Sequence, residues 1–139
     1  MSTALDSNIL NALLRREATA PQIAALLGQL QQTQGLTICP VVYAELLAGP
    51  SATPDLLKSF LTSTGIILDE HLPLSIWEAA GKAYGDYALR RKQSGGGLPR
   101  RLLADFVVGA HAFQTCTRLV TLDPQHYRLG FPTLDVITL

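Results

Sequence analysis

The chain has 139 residues, 47% of them hydrophobic and 16% charged, with a formal net charge of zero. These values describe one compact domain, residues 1–139, and exclude a disordered chain. A zero balance also excludes a global basic field, so any contact with nucleic acid has to be local.

"TALD" reads as a short strand, and Asp6 or Ser7 can cap a helix from Asn8 to Arg15. "TAPQIAALLGQLQQTQG" reads as a helix with Pro21 in its first turn and Gly35 past its end. "LTICP" is a buried-type strand, and Pro40 opens the helix "VVYAELLAG". In "TPDLLKSFLTSTG", Thr53 is the cap, Pro54 lies in the first turn and Gly65 ends the helix. "GIILD" is the third strand, and "PLSIWEAAGKAYGDYALRRKQ" is a long helix leading into the loop "SGGGLPRR". The helix "RLLADFVVGAHAFQT", the strand "RLVTLD", a single turn at most over "PQHYR" and the strand "PTLDVITL" complete the chain. Short β-branched runs alternating with helices predict an α/β fold with a parallel sheet covered on both faces.

No apolar run approaches the ~20 residues that a membrane span needs. Cys39 and Cys116 are isolated and lack any CxxC spacing, so they are expected to be buried thiols in a reducing compartment. With no basic-then-apolar leader in the first residues, the expected location is the cytoplasm.

Four acids lie in or beside apolar segments: Asp6, Glu45, Asp105 and Asp123. Only Asp105 has a cation at helical spacing, Arg101. An isolated carboxylate taken out of water needs compensation. In an open α/β sheet, ligands gather beyond the carboxyl ends of the strands. Asp6 and Asp123 end two strands, and Glu45 and Asp105 lie near the starts of helices, so the four can converge at that edge.

On the helix around Asp105, Leu102, Leu103, Phe106, Val107, Ala110 and Phe113 share one arc. Asp105 falls beside Gly109 and Ala112, small residues expected to leave room for an ion, while His111 points away from it. Two carboxylates ~5 Å apart repel by about 3 kcal/mol at an effective dielectric near 20. A cluster of four must therefore hold protons or divalent cations. All-oxygen ligands favour Mg²⁺ or Mn²⁺ over Zn²⁺, and such ions activate water against phosphodiesters.

In this order and spacing, "LDSNIL", "VVYAELLAG", "LLADFVVGAHA" and "LVTLDPQHY…FPTLDVI" resemble the PIN-domain ribonucleases, and among them the VapC-type toxins of bacterial toxin–antitoxin pairs. The resemblance spans essentially the whole chain. It implies a three-layer PIN-like fold with sheet order 3-2-1-4-5, and a Mg²⁺- or Mn²⁺-dependent endoribonuclease that is the toxin of a type II system. Asp6, Glu45, Asp105 and Asp123 match the catalytic quartet, with Asp6, Asp105 and Asp123 as metal ligands. Asn8 and Thr121 match supporting positions. The implied partners are an RNA substrate, an antitoxin protein that covers the site and a second copy in a homodimer, with no membrane. The first strand is shorter than in relatives, and the loop "RRKQSGGGLPRR" is longer and more basic.

Taken singly, each Asp reads as a cap or turn residue; taken together they read as metal ligands. Arg90, Arg91, Lys92, Arg100 and Arg101 flank the glycine loop, either to grip RNA phosphates or as solvated helix-end cations. Trp77, Tyr84 and Tyr87 read as core or dimer packing residues rather than base-stacking ones, and His71 and His126 as surface or turn residues. "SGGG" lacks the Lys-Ser/Thr of a P-loop. Two other functions compete: a degenerate PIN module that binds RNA or protein without cleavage, and a receiver-type phosphoacceptor. The second would need paired acids after the first strand, an Asp ending the third and a Lys near the last; Asp69 and Glu70 do follow the third strand, but "LDSN" has one acid and "TLDVITL" lacks the Lys.

Overall fold

The computed structural model describes residues 2–96 and 102–139. The strands are β1 (Ser2–Leu5), β2 (Gly35–Ile38), β3 (Ile66–Leu68), β4 (Arg118–Val120) and β5 (Asp135–Ile137). The helices are α1 (Ser7–Leu14), α2 (Ala20–Gln31), α3 (Pro40–Leu47), α4 (Pro54–Thr64), α5 (Leu74–Gln93), α6 (Leu103–Thr115) and α7 (Gln125–Gly130). The strands form one sheet in the order β3-β2-β1-β4-β5, with every pairing parallel. That is the order the family resemblance implies.

Successive strand residues face opposite sides of a sheet. Thr3, Ala4 and Leu5 of β1 and Leu36, Thr37 and Ile38 of β2 are all buried, so both faces of the central strands are covered. This is why the strands read as unbroken apolar runs rather than alternating ones. Leu5 pairs with Val120, and the ladder continues past both strands: the Asp6 N–H donates to the Val120 carbonyl at 3.0 Å, and that of Thr121 to Ile137 at 3.0 Å. The carboxyl ends of β1 and β4 therefore lie side by side.

Local chemistry sets the helix ends. Asp6 is the N-cap of α1 and accepts from the Ser7 N–H. Thr53 caps α4 by accepting from the Leu56 N–H, with Pro54 in the first turn. Gly65 ends α4 at φ +72°, a left-handed conformation that suits a residue without Cβ. Cys39 and Cys116 are buried free thiols, as expected.

Helix α6 is apolar for a different reason than a single buried arc. Residues Phe106 to Ala112 are all buried, so the helix is enclosed on most of its circumference. Leu102, Leu103 and Phe113, placed on the buried arc by periodicity, are exposed instead. A helix apolar all round has no strong amphipathic phase, and that misdirects a count at 100° per residue. Tyr84 and Tyr87 pack on Phe106 with ring centroids 5.3 Å away, as packing residues should, whereas Trp77 is exposed.

Candidate functional site

Asp6, directly after β1, is only 5% exposed and heavily bonded. Its Oδ1 accepts from the Ser7 N–H at 2.8 Å. Its Oδ2 accepts two hydroxyls, Thr121 Oγ1 at 2.8 Å and Tyr127 Oη at 2.9 Å. Thr121, directly after β4, itself accepts from Asn8 Nδ2 at 3.3 Å and from the Asp123 N–H at 3.1 Å. Asn8 Oδ1 in turn accepts from the Leu122 N–H at 3.1 Å, which fixes the orientation of its amide. One closed network thus ties the start of α1 to the segment after β4.

Glu45 on α3 and Asp105 in the first turn of α6 face the same region. Burial raises the Glu45 carboxyl above its ordinary value, and the negative charges of Asp6 and Asp105 push the same way, against a hydrogen bond with Ser7. Tyr127 is raised well above the ordinary tyrosine value, first by burial and then by Asp6, Asp105 and Glu45. Burial also raises the Cys39 thiol, with the Asp6 charge adding to it. The charges of three of the four predicted acids, Asp6, Glu45 and Asp105, thus all reach Tyr127, and those of Asp6 and Asp105 reach Glu45. Asp123 joins through its backbone bond to Thr121.

Among the described residues, no three His, Cys, Asp or Glu side chains form a ready-made cation cage. The side chains of Asp6, Glu45 and Asp105 nevertheless offer only oxygen donors, the type that suits a hard divalent cation. Asp6 keeps one acceptor position unused: a carboxylate offers about four lone-pair positions, and three donors leave one on Oδ1. A groove of about 540 Å³ elsewhere, beside edge strand β3 and lined by Tyr43, Lys58, Leu61 and Ile67, has no acid in its walls.

Three expectations need correction. "PQHYR" belongs to a six-residue helix, α7, not a single turn. His126 is buried, not on the surface; its ring lies 4.1 Å from that of Tyr127, and its Nε2 is 4.0 Å from Asp105 Oδ2. Gly109 does not make room for an ion, because a Cβ there would come within 2.3 Å of the Phe131 ring. His71, by contrast, is exposed as expected. His111 pairs with Asp69 at 2.8 Å and lies away from the acids. Arg90 and Lys92 are exposed at the end of α5, and Arg91 bonds the Gly96 carbonyl. Gly97, Arg100 and Arg101, including the suggested Arg101–Asp105 pair, lie outside the described residues.

Tyr127 was not among the residues singled out from sequence. It follows Asp123 by four in "TLDPQHY", the spacing at which one helical turn folds back beside a strand end, but nothing in so polar a stretch marks its hydroxyl as buried against a carboxylate.

The PIN domain family model matches residues 3–132, so the chain belongs to the PIN domain family, whose members are generally nucleases. Among solved structures, the fold resembles VapBC2 of Rickettsia felis, bound to a DNA fragment from its promoter, at TM-score 0.66 and 19% identity over 99% of this chain and 98% of that one. It also resembles VapBC-1 of nontypeable Haemophilus influenzae (0.66, 20% identity, 99% and 98%) and FitAcB of Neisseria gonorrhoeae (0.65, 17%, 97% and 96%). No curated protein matches the chain. Among the described residues, no helix is long and apolar enough to cross a membrane.

Proposed function

We propose that this chain is a single PIN domain over residues 1–139 that hydrolyses RNA phosphodiesters as a Mg²⁺- or Mn²⁺-dependent endoribonuclease. The observation that supports this reading is the buried Asp6 carboxylate at the carboxyl end of β1, held by Thr121 and Tyr127 beside the Thr121–Asn8 lock, with its charge and that of Asp105 acting on Glu45. When bound, a divalent ion would supply charge neutralisation for the scissile phosphate and an activated water. Asp6, Asp105 and Asp123 would hold it. Asp6 presents Oδ1, while Asp105 projects from the first turn of α6, where the helix dipole favours a negative charge. Glu45, whose carboxyl is raised, orients the attacking water or a second ion. Arg90, Arg91, Lys92, Arg100 and Arg101 hold the phosphate backbone that the acids themselves repel.

The structural neighbours come from toxin–antitoxin complexes, one of Klebsiella pneumoniae carrying that description in full. That context supports the role of a type II toxin, cytoplasmic and homodimeric, held silent by an antitoxin partner. The test is expression of the chain alone. Growth arrest and Mg²⁺-dependent RNA cleavage, both abolished by Asp6→Asn or Asp105→Asn, bear the proposal out. RNA binding without cleavage in the unaltered protein returns the chain to a non-catalytic PIN module.

A further inference from the structure

Tyr127 is fully buried, and its ring would pack equally well as a phenylalanine. The hydroxyl is what calls for explanation. A buried hydroxyl costs free energy unless bonded, and this one is spent on the Asp6 carboxylate at 2.9 Å.

The donor directions around Asp6 are fully determined. Thr121 accepts from Asn8 Nδ2 and from the Asp123 N–H, so both its acceptor positions are used and its single proton goes to Asp6 Oδ2. Tyr127 gives Oδ2 its second donor. Oδ2 is then saturated, and the remaining lone pair lies on Oδ1 beside the Ser7 N–H. The tyrosine is itself held rigidly. Its carbonyl accepts from the Phe131 N–H at 2.8 Å, and Arg128 ties the same helix to the Val136 carbonyl at 3.2 Å.

We infer that Tyr127 is a positioning residue: its hydroxyl pins Asp6 Oδ2, so that the carboxylate meets a cation through Oδ1 alone. This rests on the metal-dependent reading above and adds to it a residue outside the acidic quartet and its Thr121–Asn8 support. Groups that hydrogen-bond a ligating carboxylate commonly govern metal affinity by about 10- to 100-fold.

The experiment is calorimetric titration of the full chain with Mn²⁺ alone, comparing the unaltered protein with Tyr127→Phe, Asp6→Asn and Ile23→Val. Ile23 is buried on α2, outside this network, so its variant controls for loss of packing. The expected result is Mn²⁺ affinity lowered about 10-fold or more by Tyr127→Phe and unchanged by Ile23→Val. In cleavage assays Tyr127→Phe should raise the Mn²⁺ concentration needed for half-maximal rate without changing KM for RNA. Unaltered affinity in Tyr127→Phe, beside lost affinity in Asp6→Asn, overturns the role of Tyr127 and leaves the metal site standing. No Mn²⁺ binding by the unaltered protein overturns both.

Discussion

Thr121 Oγ1 lies 2.8 Å from Asp6 Oδ2 and joins two strand ends that are 115 positions apart in the chain. Its hydroxyl is fully buried and makes three hydrogen bonds. Thr121→Val keeps the shape and removes all three, leaving buried polar groups without a partner, at a cost of about 1–3 kcal/mol. Thr121→Ser should recover most of that loss. Urea denaturation of the two variants checks this; a Thr121→Val variant as stable as the unaltered protein, with Thr121→Ser the weaker of the two, would show that the methyl group, not the hydroxyl, matters at this position.

Glu45 sets a pH dependence with a definite sign. Burial, then Asp6 and Asp105, raise its carboxyl above the ordinary 4.5. The folded state therefore binds this proton more tightly than the unfolded chain does. The resulting stabilisation is complete below pH 4.5 and fades as pH rises through the folded value. Glu45→Gln carries no charge to repel, so without divalent ions it should melt above the unaltered protein at pH 7, with the gap closing toward pH 4. Neighbouring groups strip water from part of the carboxyl, but Glu45 as a residue is exposed and solvent screens the effect, so a shift of a few degrees at most is expected. Adding Mg²⁺ at pH 7 should also narrow the gap. A gap that is the same at both pH values would rule out charge repulsion at Glu45.

The sheet and the acids were legible for one shared physical reason. Parallel strands covered on both faces appear as short apolar runs, and an acid at the end of such a run stands out against them. Asp6 after β1 and Asp123 beyond the end of β4 are instances, and the β1–β4 pairing sets those two strand ends side by side. Tyr127 and His126 were not legible, because burial beside charged groups leaves no mark on an aromatic or a histidine in sequence. Gly109 misled for a related reason. A missing side chain signals close approach, but not what approaches; here it is Phe131.

That contact is testable. A Cβ at position 109 would sit 2.3 Å from Phe131 Cε2, inside any tolerable separation. Gly109→Ala ordinarily favours a helix, yet here overpacking should destabilise by about 1–3 kcal/mol. In a Phe131→Leu background the same substitution should cost clearly less, since the opposing ring is gone. Thermal melts of the four proteins in this cycle measure the coupling; additive losses would mean that the ring is not the obstacle.

Asp69 and His111 supply the acid-side counterpart to Glu45. Partial burial pushes the Asp69 carboxyl up, but the hydrogen bond with His111, the His71 N–H and the charges of both imidazoles outweigh it. The net shift is below the ordinary 3.8, so the stabilisation is present above that value and is lost as pH falls through the folded one. Asp69→Asn should lower stability at pH 6 and bring the variant level with the unaltered protein in strong acid. Denaturation series from pH 6 downward would expose a constant difference, the outcome that denies Asp69 this role.

Arg90 and Arg91 lie in the last turn of α5. If they only complement the helix dipole, replacing them affects stability and leaves RNA affinity alone. If they hold phosphates, each lost contact should flatten the dependence of log affinity on log salt by about 0.7 for single-stranded RNA. The Arg90→Gln, Arg91→Gln double variant should then bind RNA more weakly at low salt and show a slope smaller by about 1.4. Binding is best measured with the Asp105→Asn substitution present to prevent cleavage, and the two proteins should converge at high salt, where the electrostatic term vanishes. Arg91 also bonds the Gly96 carbonyl, so Arg90→Gln alone provides the cleaner half of the comparison. A slope unchanged in both variants would assign these cations to the helix end and move the phosphate contacts elsewhere on the chain.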